Sequence, residues 1–494
     1  MTSQLSPQLI LGIIVAYFIM LMSIAWLTSR GSSDNHSFFM AKRQSPWYLI
    51  AIGMIGTSVS GITFISVPGW VEARSMSYMQ TVMGFLVGYA VIAFVLMPMY
   101  YKLNLISIYT YLEKRFGIAS YKTGSAFFLL SRTIGSGFRL YLAAMVMHEF
   151  VTKAFGIPFW VTVAVTIGLI WSYTYKGGVK TIIWTDLIQT LCLIGTLVLT
   201  LFMLGDKLDL DFSGVVSTIK SSSKSQVFFF DDGWADPKNF FKQFLSGASI
   251  CIVMSGLDQD IMQKNLTVKT LKGAQINMMS YGTLLAIINL LFLSLGILLF
   301  MYAKQNNIEI PMVNDKPRTD LLFPTIALQH STWVIGVMFL LGLLASTYAS
   351  ADSALTALTT AFCIDFLGFD KKVDESSKKT RTLVHMGFSV LLFFIIILFY
   401  FINDSSVIEA IYKAAGYTYG PLLGLFAFGF LTKRKIRDNI APYICIASPI
   451  LSYIIAENSV AWFNYKFDFE ILILNGLLTF LGLWAISSSE KVYV

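Results

Sequence analysis

The sequence predicts an all-α integral membrane protein of about thirteen transmembrane helices, and three observations carry that prediction. Of its 494 residues, 56% are hydrophobic and 13% charged. That is about half the charged fraction of a soluble domain, and the mean hydropathy is +0.68. Apolar windows of about 20 residues, each long enough to cross a hydrocarbon core of about 30 Å, recur from end to end. Lys and Arg gather in alternate breaks between those windows, as they do in short cytoplasmic loops.

The windows fall at about 8–28, 47–72, 80–101, 123–152, 157–175, 181–205, 243–264, 275–303, 333–364, 382–402, 405–431, 438–456 and 470–488. The first run, Leu9 to Thr28, is too long for a signal-peptide core and lacks a basic leader, so it is expected to be retained as a helix. One set of loops contains Arg30, Lys42 and Arg43, then Lys114 and Arg115, Lys176 and Lys180, Lys264, Lys378 and Lys379, Lys433 and Arg434. It holds roughly twice as many basic residues as the other set, which places it in the cytoplasm. The N-terminus is then outside and, with an odd number of spans, the C-terminus inside. The two long loops, 206–242 and 304–332, are too short for a separate catalytic domain.

Several function classes are disfavoured. The net charge of +8 lies in the loops between spans, so it reports on membrane topology and gives no ground for a nucleic-acid partner. Cys192, Cys251, Cys363 and Cys445 all fall in apolar segments and read as small buried residues, not as a disulfide or metal framework. His36, His148, His330 and His385 are dispersed, and there is no HExxH, GxSxG or nucleotide loop, which argues against an enzyme. The bilayer and small solutes are the expected partners; no obligate protein partner is evident.

The second window contains "GTSVSGITFISVPG", Gly56 to Gly69, a glycine- and hydroxyl-rich run at bilayer depth. Each glycine costs about 1 kcal/mol in a helix relative to alanine, and small hydroxyl side chains compete for backbone hydrogen bonds, so the helix can unwind there. Unwound backbone in a membrane is tolerated where it lines a cavity, with carbonyls to hold a cation and amides to meet an anion. The structural alternative is a small-residue helix-packing stripe. Charges inside windows, namely Arg132, Arg139, Lys413, Asp186, Asp352 and Glu409, each cost at least about 2.5–3.5 kcal/mol there and mark either a site or a buried pair.

That run is followed in order by "YKGGVKTIIWTDLIQ" (Tyr175 to Gln189), "LDQDIMQK" (Leu257 to Lys264) and "ASADSALTALTTAFCIDF" (Ala349 to Phe366). Over nearly the whole chain these motifs resemble the sodium:solute symporter family, with its sodium-coupled glucose, proline, iodide, monocarboxylate and sialic acid transporters. The pattern is nearest to the sialic acid and monocarboxylate types. The resemblance implies the LeuT fold, with two inverted five-helix repeats. An N-terminal helix and loop would occupy 1–46, the first repeat 47–205, an extracellular loop 206–242, the second repeat 243–431 and two final helices 432–494.

The resemblance also implies Na+ as the coupled ion. Its main site would take backbone carbonyls of Gly56, Val59 and Ser346 and the side-chain positions of Ala349 and Ser350; Ala349 departs from the family pattern by lacking a hydroxyl. A second sodium site of some members matches Asp186, Asp352 and Ser353. An aspartate at 352, where relatives have a hydroxyl, leaves three readings open: a second sodium, a proton shared with Asp186, or a pair with Arg132, Arg139 or Lys413. Solute-contacting positions match Ser58, Ser60, Thr63, the gate-like Tyr78, Met254, Ser255 and Lys413, with Arg139 one helical turn beyond the carboxylate-binding arginine position of sialic acid symporters. The implied function is sodium-coupled import of a small polar organic solute by alternating access in the inner (cytoplasmic) membrane. An anionic solute, a sugar acid such as sialic acid or a carboxylate, is favoured because of Lys413 and Arg139. A neutral sugar or amino acid, a sodium-independent exchanger and a transporter-like sensor are the alternatives.

Overall fold

The computed structural model describes residues 7–29, 39–230, 233–234, 236–313, 316–369, 375–402 and 407–491. The side chains of 175–178 and 180 lie outside that set, as do Arg30 and the side chain of Lys42. Helices account for nearly all of the described chain. They are α1 (Pro7–Ser29), α2 (Trp47–Ser58), α3 (Gly61–Arg74), α4 (Tyr78–Val91), α5 (Met97–Lys102), α6 (Thr110–Arg115), α7 (Ile118–Phe150), α8 (Phe159–Lys207), α9 (Phe212–Ser221) and α10 (Phe240–Cys251). There follow α11 (Gln259–Asn265), α12 (Leu271–Gln305), α13 (Leu322–Gln329), α14 (Trp333–Ala361), α15 (Glu375–Ile402), α16 (Val407–Thr418), α17 (Gly420–Leu431), α18 (Ala441–Phe463) and α19 (Ile471–Ala485). Two short antiparallel ladders, Met312–Val313 with Lys316–Pro317 and Arg434–Ile436 with Ser487–Lys491, tie down loops.

Among the described residues, seven helices are long and apolar enough to cross a membrane, and ten spans result when three sharply bent pairs are each taken as one. Two shorter apolar stretches, Phe159–Thr174 and Ile471–Ala485, and the 33-residue α7 fill the remaining windows. The windows at 157–175 and 181–205 were expected as two helices and are joined in one continuous 49-residue helix. The intervening "YKGGVK" has glycines but no proline, so backbone hydrogen bonding runs through it.

The bent pairs carry the architecture. α2 and α3 meet at 61°, with Val59 and Ser60 outside helical geometry. α10 continues through a wide π-type turn, Ile252–Gly256, and meets α11 at 67° across Leu257–Asp258. There Asp258 caps the new helix, its carboxylate accepting from the Asp260 amide at 2.9 Å. α16 and α17 bend by 48° at Tyr419.

Packing depends on small residues, because lipid tails supply no hydrophobic drive between helices and close approach must come from shape. α10 lies along α4, where a Cβ on Gly84 would meet the Ala248 amide nitrogen at 2.8 Å and one on Gly247 the Thr81 backbone at 2.9 Å. α14 lies along α8, and α1 rests against both. Behind α3, Phe64 packs its ring against Phe292, Phe323 and Phe339, with centroids 5.3–5.7 Å away. Large apolar side chains that remain exposed, such as Trp26, Phe94, Phe401, Leu431 and Tyr443, suit a lipid-facing surface.

Candidate functional site

A helix that stops at Ser58 and restarts at Gly61 leaves its last carbonyls without intrahelical donors and turns Thr57 to Thr63 toward a central cavity of about 100 Å³. The cavity brings together most of the solute positions named from the sequence: Ser58, Ser60, Thr63, Tyr78, Arg139, Met254 and Ser255. Ser58 shares a short hydrogen bond with the Tyr281 hydroxyl, which accepts from the Tyr89 hydroxyl at 3.1 Å. Above it the Tyr78 and Tyr412 hydroxyls meet at 2.9 Å. Tyr412 packs its ring against Phe469, tilted by 58° with centroids 4.8 Å apart, and Arg74 lies over Trp70 and Phe469 while holding Glu409 (3.1 Å) and Asp468 (3.2 Å). This aromatic and ionic layer separates the cavity from a wider one of about 470 Å³. In the loop that closes it, burial pushes the Asp468 carboxyl above the ordinary range and Arg74 opposes that shift.

Lys413 is corrected by this geometry. It is exposed and lines the wider cavity, not the central one, and Glu409 is held by Arg74. Ile411 and Tyr412 take the inward face of α16 instead.

The residues expected around the main sodium position do converge. A Cβ on Gly56 would stand 3.5 Å from the Ala349 Cβ, and one on Gly61 would stand 3.8 Å from the Ser346 hydroxyl. So the break in the α2–α3 pair faces α14 at Ser346–Ser350. The Gly56 amide donates to the Thr190 hydroxyl at 3.0 Å, which anchors this side of the break to α8. The Ser350 hydroxyl accepts from Arg139 Nη1 at 3.0 Å. Among the described residues Arg139 has no carboxylate within ion-pair distance, although it sits well inside the 33-residue α7.

The three residues assigned to a second ion have different partners. Asp186 Oδ2 accepts from Lys264 Nζ at 2.5 Å and from the Thr57 hydroxyl at 3.1 Å. Asp352 accepts from the Tyr173 hydroxyl at 3.0 Å, and Ser353 donates to Asp260. Asp260 also holds Arg132, which stands 3.7 Å from Asp258, and Asp258 accepts from the Tyr419 hydroxyl at 2.6 Å. All of these carboxylates are fully buried. One oxygen each on Asp186 and Asp352 has no hydrogen-bond partner. The pairing of Asp352 with Arg132, Arg139 or Lys413 is therefore replaced by a tyrosine contact, and the cytoplasmic-loop placement of Lys264 by a buried ion pair.

Sequence reasoning missed Lys264, Asp258, Asp260 and Asn289. Asn289 lines the cavity, donates to the Leu285 carbonyl at 2.8 Å and leaves its Oδ1 without a partner. A lone asparagine inside "LLAIINLLFLSL" was a usable signal, since polar side chains at membrane depth are functional candidates by default.

Comparison with known proteins agrees with this architecture. The sodium:solute symporter family model matches residues 38–438, more than half of the chain. The sodium/sialic acid symporter SiaT of Proteus mirabilis is 24% identical over 439 residues, covering 86% of this chain and 84% of its own. The sodium/sialic acid symporter NanT of Aliivibrio fischeri is 23% identical over 440 residues, with 86% and 83% covered. Human sodium-coupled monocarboxylate transporter 2 is 22% identical over 410 residues, with 82% of this chain and 65% of that protein covered. Among solved structures, the substrate-bound outward-open state of a Na+-coupled sialic acid symporter, described as having a novel Na+ site, superposes with a TM-score of 0.81 at 21% identity. It covers 97% of this chain and 99% of that one. The nucleobase-cation-symport-1 transporter Mhp1, closed with bromovinylhydantoin bound, gives 0.56 at 13% identity, with 91% and 93% covered.

Proposed function

This chain belongs to the sodium:solute symporter family, and we propose that its cargo is a small organic carboxylate with hydroxyl groups, a sugar acid or a hydroxy acid. As a family member it is a multi-pass membrane protein that couples solute movement to sodium, and it is a transporter, not an enzyme. The observation that carries the anionic reading is Arg139, a guanidinium at the central cavity with no carboxylate partner among the described residues. A buried cation without a counter-ion is costly, and arginine grips a carboxylate with two parallel hydrogen bonds. The hydroxyls of Ser58, Ser60, Thr63 and Tyr78 and the amide of Asn289 suit a hydroxylated remainder, while Met254 supplies an apolar side.

Sodium would enter between the freed carbonyls of Gly56 and Val59, the Ser346 carbonyl and the Ser350 hydroxyl. A hard cation of this kind wants about six oxygens, so water fills what Ala349 omits. Binding of both cargoes then licenses rocking of the broken helices between outward and inward access, with Tyr78 and Tyr412 as the outer lid. Lys413, in the wider cavity, draws the anion toward the entrance. The lysine-rich loops favour a cytoplasmic placement in the inner membrane, with the N-terminus outside.

Melting temperatures of the purified protein with sugar acids, monocarboxylates, amino acids and hexoses, each in sodium and in potassium, test this. A carboxylate that stabilises only in sodium is the expected result. Stabilisation by a neutral hexose, with no response to any carboxylate, overturns it.

A further inference from the structure

Well away from the central cavity, a groove of about 430 Å³ lies between the α4–α5 span and the end of α17. Its first wall is Val95, in the π-type turn Ile92–Leu96 that joins α4 to α5, followed by Pro98, Met99 and Lys102 on α5. That wall is apolar until it ends in a lysine. Its second wall repeats the order: Phe430 lies inside the helix, and Lys433 follows just beyond the helix end at Leu431. Val95, Lys102 and Lys433 are exposed.

Arg115 closes the head of the groove. It donates to the carbonyls of Gly429 (3.3 Å), Thr432 (2.9 Å) and Arg434 (3.0 Å). Its buried Nη1 has no hydrogen-bond partner. No Asp or Glu lines the groove among the described residues. Three cationic side chains, Lys433 with a further contact of its own, line one end of a cleft whose other end is apolar.

We propose that this groove holds one anionic phospholipid, its phosphate between Lys102, Arg115 and Lys433 and an acyl chain along Val95, Pro98 and Phe430. Each half of such a molecule meets matching chemistry. A soluble anion would use the cations and leave the apolar wall bare. Basic pockets between transmembrane helices on a positively charged face recognise headgroups in this way. The inference does not depend on the nature of the transported solute.

Native mass spectrometry of the detergent-purified chain, titrated with phosphatidylglycerol or phosphatidylcholine, is the test. The unaltered protein is expected to retain one phosphatidylglycerol at roughly thirtyfold lower lipid concentration than phosphatidylcholine. Lys102→Gln with Lys433→Gln should abolish that preference. Lys304→Gln, which removes an exposed lysine at the end of α12, should keep it. Single Lys102→Gln and Lys433→Gln variants carry the same readout at reduced size, should the double variant melt abnormally without lipid. Equal retention of the two lipids, or an undiminished preference in the double variant, overturns the proposal. So does stabilisation by inorganic phosphate equal to that by phosphatidylglycerol.

Discussion

Arg139 touches a sodium ligand candidate and the solute cavity at once, and that double contact has an energetic consequence. A guanidinium on the Ser350 hydroxyl competes with sodium for the same oxygen. A carboxylate in the cavity would draw the guanidinium away and free the site, so each cargo would raise the affinity for the other by the same factor. Arg139→Gln should therefore raise sodium affinity about tenfold in the absence of solute, while uptake of the carboxylate falls by a factor of ten or more. Sodium-dependent melting curves without solute separate this from a purely structural role, in which sodium affinity would stay put or weaken. Lys264 has the opposite character, because its ammonium already has a counter-ion, Asp186, and a second acceptor in the Thr57 hydroxyl. Removing one member of a buried ion pair costs about 3–5 kcal/mol. Lys264→Met should accordingly lower the melting temperature, and adding Asp186→Asn should recover much of the loss. A double variant no more stable than the single one would show that the pair is not the source. The sequence exposes Asp186 and Arg139 because a charge inside an apolar run stands out. It hides Lys264 because that residue ends a run and looks like loop, and it misplaces Lys413 because helix rotation, which sets inward or outward facing, cannot be read along a single line of letters.

At the scale of elements, the first break was legible and the second was not. Glycines and hydroxyls at 56–63 weaken helical bonding openly, and α2 stops at Ser58 as that composition implies. The break at Leu257–Asp258 depends instead on a side chain capping a new helix, with Gly256 and Leu257 carbonyls taken by the Tyr100 and Tyr109 hydroxyls at 2.8 Å from elsewhere in the chain. Those partners are more than a hundred residues away and leave no local trace. Most apolar windows coincide with helices to within a few residues, although α18 runs on to Phe463, seven residues past its window, and the merger of two windows into α8 depends on hydrogen bonds through a glycine pair that local composition treats as a gap. Gly56 also carries a packing requirement: a methyl there would stand too close to the Thr190 hydroxyl and against Ala349. Gly56→Ala should destabilise by about 1–3 kcal/mol and weaken sodium binding. Melting temperature with and without sodium measures both, and an unchanged sodium response in a folded variant would remove Gly56 from the ion site.

For the molecule as a whole, the count of transported charges follows from where its fixed charges sit. Asp186 already faces a resident ammonium, Asp260 a resident guanidinium, and Ser353 is turned to Asp260. A second sodium at Asp186 and Ser353 would have to displace Lys264 and undo that set, so one sodium per solute is the stoichiometry these contacts favour. One sodium with a monoanionic carboxylate moves no net charge, and a membrane potential then does no work on the cycle. Two sodium ions would move one net charge, worth about 2.3 kcal/mol per 100 mV, or roughly fiftyfold in accumulation. Proteoliposomes with a potassium diffusion potential of about 100 mV, inside negative, distinguish these at a fixed sodium gradient. Accumulation of the carboxylate should be the same with and without the potential, and Lys264→Met, if it folds, should make it potential-dependent by opening the second position. A large potential effect in the unaltered protein would mean that the ammonium of Lys264 moves aside during the cycle and that Asp186 is an ion ligand after all.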